Sequence, residues 1–186
     1  MPPRVEYVIL HCTDAPWGSV ESVRKFHTDP KPAGNGWLDI GYHYLIGNSY
    51  PTLERFLHQR PDLENDGTIF PGRDLDHDGD VEEEIGAHVE GWNSKSLGVA
   101  LVGRVRQFGE NAGGGFTSAQ IRSALHLIRD LCHRHEVPFS NVLGHYETGA
   151  PKSCPDLDME FIRELLRDAA WEPSSPSLTR SPSPRT

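Results

Sequence analysis

Short apolar runs alternate along the chain with segments whose apolar residues return at helical spacing. Val5-Glu6-Tyr7-Val8-Ile9-Leu10 is β-branched and apolar, and predicts a buried strand running into His11. Side chains two apart share a strand face, so Tyr7, Ile9 and His11 lie on one side and Val8, Leu10 and Cys12 on the other. His11 and Cys12 therefore point apart, and Cys12 reads as a small buried hydrophobe. Ser19 is placed to cap a helix with Val20, Val23 and Phe26 on its stripe and His27 beside them as packing or rim. Pro30, Pro32, Gly34 and Gly36 end it in a loop. Residues 37–46 regain strand character, with Tyr42, Tyr44 and Ile46 expected on one face and His43 and Leu45 on the other.

Residues 47–65 carry Pro51, Pro61 and the short amphipathic piece Leu53-Glu54-Arg55-Phe56-Leu57, which predicts an inserted excursion with a turn or two of helix. Asn65-Asp66-Gly67 is a turn signal, after which the sheet resumes at Thr68-Ile69-Phe70. Residues 97–102 form an apolar run of strand length, expected at the centre of the sheet. Residues 109–115 are glycine-rich and read as a flexible loop. Thr117 and Gln120 form a capping box opening a helix whose stripe is Ile121, Leu125, Ile128, Leu131 and Cys132. Asn141-Val142-Leu143 predicts a brief strand. Asp158 caps a last helix, with Phe161, Ile162, Leu165, Leu166 and Ala169 expected inward.

Composition narrows the picture. A chain of 186 residues suits one domain with a real core. A formal net charge of −9 argues against nucleic acid or an anionic membrane as partner. The opening Met1-Pro2-Pro3-Arg4 has no apolar segment of the kind a secretory signal needs. No apolar run approaches the roughly 18 residues of a membrane span. Three cysteines do not suggest a disulfide framework, and a reducing cytoplasm is the expected place of synthesis. Residues 1–4 and the Pro- and Ser-rich tail 172–186 are expected to be disordered, leaving 5–171 as the domain.

The chemistry concentrates in residues 144–155. There His145, Lys152 and Cys154 put an imidazole, an ammonium and a thiol in one proline-bounded loop. Neutral imidazole and thiolate are preferred zinc ligands, and a catalytic zinc site takes three protein ligands with one position left for water. His11, where the first strand meets its loop, is the candidate third ligand. Two other patterns are set aside. Asp74-Leu75-Asp76-His77-Asp78-Gly79-Asp80 imitates half of a calcium loop, but Ile85 stands where the bidentate glutamate belongs. It reads as a solvated acidic turn. His133 and His135 diverge by about 200° around a helix, so they are not expected to share a metal.

Several stretches together resemble the zinc-dependent N-acetylmuramoyl-L-alanine amidases of the type 2 family, which share a fold with peptidoglycan recognition proteins. These are residues 8–13, 36–44, Asp66-Gly67-Thr68 with Gly72-Arg73, Gly86-Ala87-His88, 93–103 and 145–154. The chain is most similar to the phage lysozymes of amidase type, and the six stretches keep the family's order. The resemblance implies an α/β domain with a central mixed β-sheet flanked by helices. It implies one zinc ion on His11, His145 and Cys154, with Tyr42 and Lys152 as catalytic side chains. His88 and Asn93 are candidates for contact with substrate; Trp17 and Trp92 are weaker ones. The implied reaction cleaves the amide between N-acetylmuramic acid and L-alanine in bacterial peptidoglycan. A monomeric endolysin made in the host cytoplasm and released through a holin fits this reading. Alternatives are a cytoplasmic amidase recycling wall fragments and a module that binds peptidoglycan without cutting it. The 47–65 excursion and the acidic 74–84 loop depart from the family's usual lengths and are expected to border the groove.

Overall fold

The computed structural model describes residues 4–104 and 115–168. The expectations for residues 1–3, for most of the 109–115 loop, for Ala169 and for the 172–186 tail lie outside the described residues.

The strands are β1 (Tyr7–Cys12), β2 (Tyr44–Ile46), β3 (Ile69–Pro71), β4 (Ser96–Leu101) and β5 (Val142–Gly144). They form one sheet in the order β3-β2-β4-β1-β5. β1 runs parallel to β4 and β5, β2 runs parallel to β4, and only β3 is antiparallel, against β2. The sheet is therefore mixed, with the apolar 97–102 run at its centre as its composition requires: every residue of β4 is buried. β1 is flanked on both sides by parallel neighbours, so its carboxyl end, where His11 sits, opens at the edge where ligands of α/β sheets bind.

Helices cover both faces. α3 (Ser118–Arg134) and α4 (Met159–Arg167) lie on one side, where Leu125, Ile128, Leu131, Ile162 and Leu166 meet Val8, Leu10, Leu97, Val99 and Leu101. On the opposite side α1 (Val20–Thr28) sets Val20 and Val23 against Leu45, Ala100 and Val102. Alternation along β1 thus sends Val8 and Leu10 into the larger core and leaves His11 facing the α1 side. Ser19 caps α1 through a capping box with Ser22, and Thr117 caps α3 through one with Gln120. Gln120 does more than cap. Its buried amide donates to the carbonyls of Ile46 and Val102, anchoring the start of α3 to β2 and to the end of β4.

Two expectations about side-chain direction are corrected. Tyr42 does not share a face with Tyr44 and Ile46, because β2 begins only at Tyr44 and the chain bends at residues 41–43. Tyr42 packs on the α1 side while Tyr44 packs against the α3 core. The bend depends on Gly41: a Cβ there would collide with the backbone carbonyl of Ala87. Phe161 is 56% exposed, since the buried stripe of α4 runs Met159, Ile162, Leu166 and leaves residue 161 off it.

The 47–65 excursion contains α2 (Leu53–Leu57), capped by Thr52. The acidic segment is fastened by Glu82, which accepts hydrogen bonds from Tyr44, Arg134 and His135. Burial alone would raise this carboxyl, but those three donors hold it down at about 2. His135, set aside as a metal ligand, is thus occupied by its hydrogen bond to Glu82. Ile85, at the place a calcium loop reserves for glutamate, is exposed. The Asp74, Asp76 and Asp78 carboxylates converge within 4.8 Å. Backbone amides of Asp78, Gly79 and Asp80 occupy one oxygen of each of them.

Candidate metal centre and cleft

Three segments deliver three donors to one point. His11 comes from the end of β1 and is 1% exposed. His145 opens the 3-10 turn His145–Thr148 directly after β5. Cys154 closes the loop that follows, and its carbonyl accepts from the Tyr146 amide, which folds the loop back on the turn. The turn is held from beneath: Glu147 accepts from the Gly144 amide and from Arg163 of α4, which also donates to the Val142 carbonyl. One donor atom from each of His11, His145 and Cys154 lies within 4.8 Å of the others. The Cys154 sulfur is 3.9 Å from Nδ1 of His11 and accepts the backbone N–H of Cys12 at 3.2 Å. Cys12 thus belongs to the site through its backbone, and its side chain also borders the cleft beside the Cys154 thiol, although strand alternation alone would turn it away from His11.

The donor set suits zinc. Both imidazoles are kept neutral: burial, then the neighbouring His88 and His145, push His11 well below the usual histidine range, and burial followed by the Lys152 charge lowers His145. The Cys154 thiol is pushed up by its contact with the Cys12 thiol and then by burial. A divalent cation inverts that preference and holds the ligand as thiolate. Two neutral nitrogens and one soft sulfur are a zinc-type set, and no fourth His, Cys, Asp or Glu joins the group among the described residues.

The cluster opens into a cleft of about 670 Å³, bordered by Thr13, Phe26, His27, Trp37, Tyr42, Lys152 and others. Tyr42 packs its ring 5.1 Å from that of His11 and 5.3 Å from that of His27. Burial, then the charges of Cys154 and Cys12, raise its phenol above the usual tyrosine range, so it stays protonated. His27 accepts the Gly41 amide through Nδ1 and is lowered by burial to about 4, consistent with the packing role expected of it. Lys152 stands exposed on the rim.

The two candidates for contact with substrate, His88 and Asn93, are placed differently: His88 is among the residues lining the cleft and Asn93 is not. The structure puts His88 at the back of the cleft, 8% exposed, with Nδ1 3.0 Å from Nε2 of His11. Asn93 is absent from the cleft wall and instead accepts the amides of His88 and Val89 through one oxygen. Trp92 packs edge-on against Tyr7 and under Lys95, away from the cleft, while Trp17 lines an adjoining apolar recess with Val23 and Phe26. None of the cleft-lining residues comes from 47–65 or 74–84, so neither departure in length borders this cleft. His43, to which the sequence assigns only a strand face, is wholly buried behind His88, their ring centres 5.5 Å apart. Two glycines make room for the pair: a Cβ on Gly86 would strike both His88 and His43, and one on Gly98 would come within 2.8 Å of the His88 ring.

Comparison with known proteins agrees with this geometry. The family model described as N-acetylmuramoyl-L-alanine amidase matches residues 1–156. The endolysin of Enterobacteria phage T3 is 30% identical, with 83% of each chain covered, and that of Enterobacteria phage K11 is 32% identical, with 76% and 72% covered. Among solved structures, the amidase LysC from Clostridium intestinale superposes with a TM-score of 0.63 at 22% identity, covering 88% of this chain and 85% of that one. The Drosophila recognition protein PGRP-LB, as a point mutant in complex with tracheal cytotoxin, gives 0.57 at 25% identity, with 83% and 76% covered. No helix of the described residues is long and apolar enough to cross a membrane. With a matching family model over most of its length, relatives at 30% identity and a His-His-Cys cluster at the mouth of a type 2 amidase sheet, the chain belongs to the N-acetylmuramoyl-L-alanine amidase family.

Proposed function

We propose that the chain is an endolysin that hydrolyses the amide between N-acetylmuramic acid and L-alanine in peptidoglycan, with one zinc ion on His11, His145 and Cys154. The observation that carries this reading is the convergence of those three donors at the wall of an open cleft. Zinc bound there supplies a Lewis acid that polarises a carbonyl and brings the pKa of water down to about 7.

The chain's own residues supply the rest. Tyr42, neutral and wedged against His11, presents an O–H that orients a water or carries a proton towards the leaving amine. Lys152 sits two residues before Cys154 on the cleft rim, and its charge is felt at both histidines. It is therefore placed to stabilise negative charge growing on the carbonyl oxygen. Burial favours the neutral, ligand-competent form of both His11 and His145. The protein acts as a monomer synthesised in the host cytoplasm and reaching the wall through a holin.

Purified sacculi incubated with the protein should release newly exposed L-alanine amino groups. Removal of the metal by a chelator, or Cys154→Ala, should abolish the release. Binding to sacculi without any release would mark a recognition module instead. Cleavage of soluble wall fragments alone, with intact sacculi untouched, would mark a recycling enzyme.

A further inference from the structure

The imidazole of His88 lies at the back of the cleft, against the ring of His11. It lies in a slot made by two glycines: a Cβ on Gly86 would overlap its ring, and one on Gly98 would approach it to 2.8 Å. Its backbone is pinned by Asn93, whose side-chain oxygen takes the amides of both His88 and Val89 at 2.9 Å. His43 backs it edge-on and is itself fixed at both nitrogens, accepting from the Gly98 amide at 2.8 Å and donating to the Glu84 carbonyl at 3.0 Å. Four segments of the chain thus converge to hold one ring in one orientation. The one well-formed hydrogen bond of that ring, among the described residues, is to His11 at 3.0 Å.

We infer that His88 is a positioning residue for the metal centre: it accepts the Nε2–H of His11 and thereby commits Nδ1 of His11 to the cation. The direction of the bond follows from geometry. Nδ1 of His11 faces the Cys154 sulfur at 3.9 Å, so the donor pair needed for the ion lies on that side of the ring. A neutral imidazole whose Nδ1 lone pair is used for a metal carries its proton on Nε2, and that proton points at Nδ1 of His88. His88 then accepts, and its own proton must reside on Nε2, which is shut away from solvent. Metal-bound histidines commonly use a carboxylate or a backbone carbonyl for this purpose. An imidazole does the same work here while adding no negative charge, so the centre keeps the net charge set by two neutral ligands and one thiolate. The inference rests on the zinc reading of the cluster, but not on the identity of the bond that is cleaved.

Leucine and asparagine have nearly the same shape, and only asparagine can place an acceptor oxygen where Nδ1 of His88 lies. His88→Leu and His88→Asn should both give folded protein by amide NMR fingerprint. Zinc affinity, measured by competition with a chromophoric chelator, should fall about 10- to 100-fold in His88→Leu. It should return to within about threefold of wild type in His88→Asn. Long-range 15N–1H spectra of the wild-type protein should show His11 protonated at Nε2. Equal zinc affinity in His88→Leu and wild type, an equal loss in both variants, or a His11 proton on Nδ1 would overturn the inference. If wild type binds zinc and the two variants separate as described, while sacculi remain uncut, the positioning role stands and the amidase reading falls.

Discussion

Tyr42 and Lys152 occupy different electrostatic settings beside the same cluster, and their variants should fail differently. Lys152→Ala removes a rim charge that no packing depends on. Turnover should drop about 10²- to 10³-fold, the usual cost of losing one donor to a developing oxyanion. Zinc content should be unchanged by elemental analysis. Tyr42→Phe keeps the ring contacts with His11 and His27 and deletes only the hydroxyl. It should lower kcat with KM and zinc affinity nearly constant. Full lytic activity in either variant would remove that residue from the mechanism. At this scale the sequence is informative about ligands because His, Cys and Lys in one Cys-poor loop have few structural uses. It is uninformative about His43, because a buried histidine held by a backbone amide and a carbonyl leaves no local pattern. The direction of Tyr42 escapes it for a related reason. Period-two alternation assumes a continuous strand, and the bend at residues 41–43 breaks it.

Elements are held in place by a few polar links whose removal has calculable signs. Glu82 joins the acidic segment to β2 and to the end of α3 through Tyr44, Arg134 and His135. Its carboxyl is held at about 2 in the fold against a reference of 4.5. The unfolded chain therefore binds the proton first as pH falls, so the stability that Glu82 contributes is present above about pH 4.5 and is lost on approaching pH 2. Glu82→Gln should cost about 1.5–3 kcal/mol at pH 7, the range for hydrogen bonds to a charged group. The cost should shrink in denaturant melts taken towards pH 3. A penalty independent of pH would show that packing, not the charge, is what matters. Gly41→Ala tests the bend that carries Tyr42. A methyl forced onto the Ala87 carbonyl should destabilise by about 1–3 kcal/mol and reduce activity with it. Strand and helix order, caps and the central position of the 97–102 run are all legible in the sequence, because periodicity and capping are local. The acidic segment's attachment is not, since Glu82 meets partners about 40 to 50 residues away in the chain.

At the scale of the whole molecule, the fold serves to bring the two ends of the domain together. β1 and β5 lie far apart in sequence yet pair directly, Val8 against Val142 and Leu10 against Gly144. That pairing sets His11 beside His145, and the loop closing on Tyr146 adds Cys154. No property of either segment alone predicts the meeting; the resemblance of six ordered stretches to a known family does. The same resemblance also leads to the expectation that the two unusual lengths border the groove, and the cleft wall contains neither. X-ray absorption on the purified, metal-loaded protein tests the meeting most directly. One zinc per chain should be found, with two nitrogen ligands at about 2.0–2.1 Å and one sulfur at about 2.3 Å, the sulfur contribution vanishing in Cys154→Ser. A protein free of zinc after careful preparation, or a zinc shell with no sulfur in it, would contradict the account.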